Sequence, residues 1–299
     1  MNGNPLVSVI IPTNNRNQKL LECIKTVLNN TYKNIEIIII NDAPENAVYN
    51  HIKDYPVKFI QNKKRMFAAY CRNKGAKIAR GKLLFFVDDD NILDKSCIKI
   101  MVEKYTNNMG LLGPIMYKKD GTVWFYGGKI NWISPYAKPY LKEIKKNQLI
   151  ETDVIPNAYM TTKRKYIDAG MENYKLFPNF HDDLDIAQKL KRNNYTNYIL
   201  TSAKTTHDYG KLVEHIYPDR LYQMVKCSII AERLYAPKSR RLLFFLLFLP
   251  THIVFYLSFY IPFKAENKLN LYKSYLKGLI DGLNFNKLSG KSTPIYRQN

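Results

Sequence analysis

Three consecutive carboxylates, Asp88, Asp89 and Asp90, close one of the most apolar short runs of the chain, Leu83 to Val87. Adjacent carboxylates repel one another unless a cation offsets them, so a cluster at a strand end invites a divalent ion. Hard oxygen donors favour Mn2+ or Mg2+ over zinc, and such an ion suits a nucleoside diphosphate, whose charge it neutralises. The competing reading is a helix start, with Asp90 or Asn91 capping a helix that begins near Asp94. That accounts for one carboxylate of the three. A second acidic cluster, HDDLD (His181 to Asp185), precedes Leu184, Ile186, Ala187 and Leu190, whose spacing predicts a short helix. Carboxylates are favoured at a helix start by its dipole, which accounts for Asp182 or Asp185.

The elements that must position these residues are legible as alternating patterns. Leu6 to Ile11, Ile35 to Ile40, Val57 to Ile60 and Leu83 to Val87 read as strands, and Leu20, Leu21, Ile24, Val27 and Leu28 mark an amphipathic helix between the first two. This alternation predicts an α/β fold, a mostly parallel sheet flanked by helices, with ligands at the carboxyl edge of the strands. Polar turns follow the first, second and fourth strands there (PTNNR, NDAPEN, DDDN) and should face one crevice. Gly121 to Trp132, rich in aromatics and glycine, reads as a hairpin or extended loop lining that crevice. Trp124, Tyr126, Gly127, Gly128 and Trp132 would either shape a sugar or acceptor pocket or simply pack the hairpin. Helices are also expected around Lys163 to Ala169 and from Pro218 to Leu234.

The 299 residues and 46% hydrophobic content suffice for a large core, and the net charge of +21 points to an anionic partner. Nucleic acid, a phosphorylated substrate and a membrane surface all satisfy the charge. Against nucleic acid, the basic residues are dispersed, no recognition motif appears, and the acidic clusters would lie in the groove. Four cysteines without a CxxC pair argue against a zinc ribbon or a disulfide scaffold and fit a reducing cytoplasm. The amino-terminal stretch lacks the basic start and long apolar segment of a signal peptide. A sugar-phosphate nucleotidyltransferase would share the sheet, but it calls for a glycine-rich loop after the first strand, and PTNNRNQK contains no glycine.

Taken in order, VSVIIPTNNR, IIIINDAPEN, AAYCRNKGAKIARGKLLFFVDDDN and HDDLD resemble the motifs of family 2 glycosyltransferases with the GT-A fold, over roughly Leu6 to Gly210. The third is the most specific, with Arg72, Asn73, Gly75, Ala79, Gly81 and the aspartates at the family's spacing. The resemblance implies an inverting, metal-dependent transferase that uses a nucleotide-sugar donor and a glycan or lipid-linked acceptor. Pro12, Thr13 and Asn15 would border the nucleotide, Asp42 would meet the base, and Arg72 would approach the diphosphate. Asp88 and Asp90 would be the DxD pair that binds Mn2+ or Mg2+, with Asp89 beside them on the donor and His207 as a third metal ligand. Asp183 would be the catalytic base, with Asp182 near the acceptor. On the residues alone, Asp42 reads equally as an Asx turn, Arg72 as a solvated helix charge and His207 as a structural histidine. The NDAPEN turn departs from the family's usual residues, and the aromatic segment is only loosely similar to rhamnosyl- and galactofuranosyl-type members.

Two regions are expected: a catalytic domain over 1–215 and a helical region over 216–299. In the latter, Leu242 to Phe263 carries no formal charge and is long enough to cross a bilayer core, for which ~20 residues suffice. Basic residues lie on both flanks, and Pro250 and Pro262 should interrupt a straight helix. A re-entrant or interfacial segment at the cytoplasmic membrane face is therefore expected. In the tail, Tyr272, Tyr275, Leu276, Leu279, Ile280 and Leu283 predict a basic amphipathic helix on anionic lipid. The other reading is a helix pair buried in a soluble oligomer.

Overall fold

In the computed structural model of the chain, residues 3–44, 48–134, 136–139, 144–145, 147–208, 217–264 and 268–285 are described. They fall into two compact units, one of 1–130 with 137–210 and one of 131–136 with 211–299. The expected boundary at 215/216 lies outside the described residues, as do Glu45 and Asn46 of the second polar turn.

The first unit begins β1 (Val7–Thr13), α1 (Asn17–Leu28), β2 (Ile35–Asn41), α2 (Tyr49–Ile52), β3 (Val57–Gln61), α3 (Phe67–Ile78) and β4 (Leu83–Val87). It continues with β5 (Asn91–Leu93), α4 (Cys97–Lys104), β6 (Met109–Lys118), β7 (Val123–Phe125), β8 (Gly128–Lys129), β9 (Lys138–Pro139) and β10 (Leu149–Thr152). It closes with β11 (Ala158–Thr162), α5 (Lys163–Asp168), α6 (Asp182–Arg192) and β12 (Thr196–His207). One sheet runs β10-β12-β6-β11-β4-β1-β2-β3. Its β4-β1-β2-β3 half is parallel, whereas β11 runs antiparallel to both β4 and β6.

The strands are where the apolar runs place them. β1 and β4 are buried along their whole length, as expected for parallel strands covered on both faces. Each fully buried Ile, Leu or Phe contributes roughly 1.5–3 kcal/mol. Register then aligns the strand ends, with Thr13 opposite Asn41 and Asn41 opposite Gln61. Helix α3 lies close on β1 because Gly75 has no side chain: a Cβ there would come within 2.5 Å of Ile10. That close approach brings Arg72, one turn earlier, to the strand ends.

The helix expected near Asp94 begins at Cys97, after strand β5. Asp94 makes its turn, accepting from the Ser96 amide and hydroxyl, while Asp90 and Asn91 take no part. The helix-cap reading of the three aspartates is therefore replaced, because β5 stands between them and the helix.

In the second unit, α7 (Pro218–Tyr235) packs on α11 (Lys268–Leu283). Gly278 lets the two approach, since a Cβ there would meet the Tyr222 carbonyl at 2.8 Å. Between them in sequence run α8 (Lys238–Leu243), a π turn (Phe244–Phe248), α9 (Leu249–Phe255), a second π turn (Tyr256–Tyr260) and α10 (Ile261–Lys264). The expected interruption at Pro250 and Pro262 takes the form of these π turns, with the backbone helical throughout. Each proline follows a widened π turn, which relieves the clash a proline ring makes with the carbonyl four residues earlier. The apolar face predicted for the tail is also divided: Leu271, Tyr275 and Leu279 are buried with Leu221, Val225 and Ile229 of α7, whereas Leu269, Leu276, Ile280 and Leu283 face outward.

Candidate active site

The polar turns after β1, β2 and β4 meet at the carboxyl edge of the sheet. Asn15, at φ 54°, exchanges hydrogen bonds with Asn41: its amide donates to Asn41 Oδ1 at 3.3 Å and its Oδ1 accepts from Asn41 Nδ2 at 3.0 Å. Pro12 is buried in β1. The Thr13 hydroxyl donates to Asp89 Oδ2 at 2.6 Å.

Asp42 is neither a local Asx turn nor open to the crevice with both oxygens unengaged. Its Oδ1 accepts from the Met66 amide and its Oδ2 from the Phe67 amide, both at 2.7 Å, and Asn62 Nδ2 adds a third bond at 2.9 Å. The carboxylate caps α3 from across the sheet edge, satisfying amides that a helix start leaves without partners.

Each of the three aspartates is met by a cation in its own way. Asp88 accepts from Arg72 Nη2 at 2.7 Å. Asp89, fully buried, is clasped by Arg16, which reaches Asp90 Oδ2 with Nη1 at 2.8 Å. Asp90 Oδ1 is buried, accepts no hydrogen bond of ordinary geometry, and stands 3.3 Å from His207 Nε2. Burial opposes its ionisation, but His207 and Arg16 outweigh it and hold the Asp90 carboxyl below its ordinary value. Burial lifts Asp89 to about 7 against the pull of Arg16 and Thr13. His207 is held by the Trp124 ring, 4.7 Å between centroids, and by the Asn157 amide.

Arg72 is not a solvated helix charge. It is 4% exposed, binds Asp182 Oδ2 at 2.5 Å as well as Asp88, and lies 3.6 Å from Glu172 Oε2. One guanidinium among three carboxylates leaves an excess of negative charge. Burial raises Glu172 to about 8, with Arg72 opposing and Asp182 adding to the rise. The Tyr159 hydroxyl donates to Glu172.

Asp182 and Asp183 open α6, which the chain enters through His181 in left-handed backbone, φ 61°. Asp183 is half-buried, and its Oδ1 accepts from the Leu184 amide at 2.8 Å. Burial first, and then the charge of Asp182, push its carboxyl up to about 7. Such a group is poised to accept a proton near neutrality.

The aromatic segment contributes Trp124 on β7 to the site through His207. Gly127 adopts φ 114°, while Gly128 owes its missing side chain to strand pairing, since a Cβ would come 2.6 Å from the Lys138 carbonyl. Trp132 belongs to the second unit.

Among the described residues, no three His, Cys, Asp or Glu side chains already stand together as a metal site. The arginines take the carboxylate oxygens instead. The donor set still fits a divalent cation: the buried Asp90 Oδ1 without a hydrogen bond faces an imidazole, and hard oxygens with one imidazole suit Mn2+ or Mg2+. Arg16, Asn157 and Glu172 went unassigned in the sequence reading. Arg16 had a signal, being the one basic residue of the PTNNR turn. Glu172 and Asn157 had none, because they lie outside the strands and meet Tyr159 and His207 only in the folded chain.

Comparisons with known proteins bear on the fold and the family. Over 104 residues the chain is 30% identical to "Glycosyltransferase GlyG" of Streptococcus pneumoniae serotype 4, covering 33% of this chain and 35% of that protein. It thus spans about a third of that relative's length. The fold is similar to that of the mannosyltransferase PcManGT from Pyrobaculum calidifontis, solved with GDP-Man and Mn2+ (TM-score 0.61, 11% identity, 95% of this chain and 88% of that one). It is also similar to residues 1–349 of S. aureus TarS in complex with UDP-GlcNAc (TM-score 0.58, 17% identity, 93% and 80%). These likenesses identify the sheet and its helices as a GT-A fold. The model of glycosyl transferase family 2 matches residues 8–170, from β1 through α5 and so across all three aspartates of the strand end, and the chain belongs to that family.

Proposed function

We propose that the chain transfers a sugar, a hexose or deoxyhexose, from a nucleotide-sugar donor to a hydroxyl of a glycan or lipid-linked acceptor, with inversion. The observation that carries this reading is the pairing of two unlike acidic clusters. One is cation-bound at the carboxyl edge of parallel strands, and the other is raised toward neutrality at a helix start. Similar proteins have been solved with GDP-Man and Mn2+ and with UDP-GlcNAc, which supports a nucleotide-sugar donor and a divalent ion.

Asp88, Asp90 and His207 would hold Mn2+ or Mg2+, which would neutralise the donor diphosphate when bound. Pro12, Thr13, Asn15 and Asp42 would border the nucleotide, and Asp89 would hold the loop after β1 through Thr13. Arg72 would orient Asp88 toward the ion and Asp182 toward the acceptor. Asp183 would take the proton of the acceptor hydroxyl as its oxygen attacks the anomeric carbon and the nucleoside diphosphate leaves from the opposite face. Burial, and then the charge of Asp182, would keep that proton acceptor basic enough for the task. Calorimetric titration with UDP, GDP and their sugars, with Mn2+, with Mg2+ and with chelator, tests the reading. Metal-dependent binding of one nucleotide is expected; absence of binding under every condition would overturn it.

The second unit supports a location at an anionic membrane surface on the cytoplasmic side. The helical run Lys238–Tyr260 is long and apolar enough to cross a membrane, and Leu246, Leu247, Val254, Phe255 and Phe259 are exposed along it. Lys238 and Arg240 are exposed in its first turn, and Lys273 and Lys277 are exposed on α11. Basic residues beside an apolar face suit an interfacial helix on anionic lipid. Sedimentation with phosphatidylglycerol vesicles should be lost on Phe255→Glu with Phe259→Glu; unchanged sedimentation would sink the membrane reading.

A further inference from the structure

Two arginines face the three aspartates, and they are held in different ways. Arg72 is 4% exposed and locked among Asp88, Asp182 and Glu172, so it cannot leave without abandoning buried carboxylates. Arg16 is 37% exposed and lies in the turn between β1 and α1, directly after the left-handed Asn15. Its hold is divided between Asp89, through Nε at 3.1 Å and through Nη2, and Asp90, through Nη1 at 2.8 Å. Asp89 retains the Thr13 hydroxyl if the guanidinium moves. Asp90 would retain only His207. A loop-borne guanidinium that is itself 37% exposed can be solvated as it moves, while the buried Asp89 and Asp90 need a replacement cation, which a divalent ion on Asp90 would supply.

Position gives that freedom a use. The oxygen that Arg16 engages belongs to the same carboxylate whose other oxygen faces His207 without a hydrogen bond. A guanidinium and a divalent ion on one carboxylate repel each other, so the weaker-held cation yields. A nucleoside diphosphate also bears one more negative charge than the same nucleotide esterified to a sugar. A cation that turns toward the diphosphate therefore favours the departing group over the intact donor, which is the difference that lowers a barrier.

We propose that Arg16 is a displaceable internal cation of the donor site: it neutralises Asp89 and Asp90 in the free protein, yields Asp90 to the divalent ion, and turns its guanidinium onto the donor's diphosphate. This rests on the functional reading above and adds to it a positioning residue with two alternating partners.

The test is a titration of the full chain with Mn2+ alone, followed by electron paramagnetic resonance of the free ion, for the parent, Arg16→Gln and Arg16→Lys. UDP and GDP are then titrated at saturating Mn2+, and thermal melts confirm that each variant folds. Arg16→Gln is expected to bind Mn2+ alone about tenfold tighter and the nucleoside diphosphate about tenfold more weakly, the size of one charge-assisted contact. Arg16→Lys should resemble the parent in both. Arg16→Gln with parental or weaker Mn2+ affinity would overturn the displacement. Nucleotide binding that needs no metal and is lost in Arg16→Gln would also overturn it, because Arg16 would then be the permanent cation. Failure of the parent itself to bind Mn2+ or either nucleotide would instead sink the functional reading on which the proposal stands.

Discussion

Asp88, Asp89 and Asp90 leave a buried strand and meet Arg16, Arg72 and His207, whereas at the start of a helix Asp182 meets Arg72 and Asp183 accepts from the Leu184 amide. The residue type is the same, and the resulting state is not. Asp90, with two cationic or imidazole partners, is held below its ordinary value despite burial. Asp183 has one helix amide as its nearest donor and a carboxylate as its neighbour, so burial dominates and lifts it to about 7. The lesson is that partners and depth act on each carboxylate separately: against burial, His207 and Arg16 hold Asp90 down, whereas burial lifts Asp183, and also Asp89 despite its clasp by Arg16, to about 7.

The sharpest break of that contrast is Asp183→Asn. Transfer should fall ~10²- to 10⁴-fold, the worth of a general base, while nucleotide binding by calorimetry is unchanged. Equal transfer by variant and parent would remove Asp183 from the base role. Next in size, Arg72→Met leaves Asp88, Asp182 and Glu172 without their shared cation and should cost about 3–5 kcal/mol in denaturant unfolding. Arg16→Gln should cost less in the same measurement, because Arg16 is itself 37% exposed and its two carboxylates keep the Thr13 hydroxyl and His207. Similar losses in the two would erase the distinction between the locked and the movable arginine.

A smaller effect separates the clusters by metal. Asp90→Ala should weaken Mn2+-dependent nucleotide binding at least about tenfold, whereas Asp182→Asn should leave the metal dependence intact. The smallest is a dependence on pH. An unfolded aspartate loses its proton near pH ~4, but Asp183 in the folded chain keeps it to about 7. Between those values the folded state binds more protons than the unfolded one, so Asp183 makes the fold less stable as pH rises through that window. The melting temperature of Asp183→Asn should therefore gain on the parent from pH 5 to pH 8, while parental transfer rises over the same range with an apparent pKa near 7. A constant gap in melting temperature would assign the shift to another group.

Much of this arrangement was legible in residue order. Period-two and unbroken apolar runs marked β1 to β4 at their observed places, and the rule that parallel strands present ligand sites at their carboxyl ends brought Thr13, Asp42 and Asp88 to one edge. Local patterns failed where the partner was distant. Asp42 reads from sequence equally as an Asx turn or a contact to the base, and neither reading shows that it caps a helix whose first amides come more than twenty residues later. The outward half of α11 could not be told from its buried half, because Leu276 and Leu279 look alike until α7 covers one of them.

What the sequence determined by itself was therefore the content of the molecule: which runs must be buried, which turns end strands, and which carboxylates lie at those ends. Hydrophobic periodicity and strand direction are local properties, and they survive without knowledge of the partner. Only the tertiary structure decided the charge state of those carboxylates. Arg72 meets Asp182 across 110 positions and Arg16 meets Asp89 across 73, and such pairs exist only after sheet register and helix approach are set. A pKa is a property of the surroundings. In this chain those surroundings are assembled from the turn after β1, α3, the end of β4, the start of α6 and the end of β12.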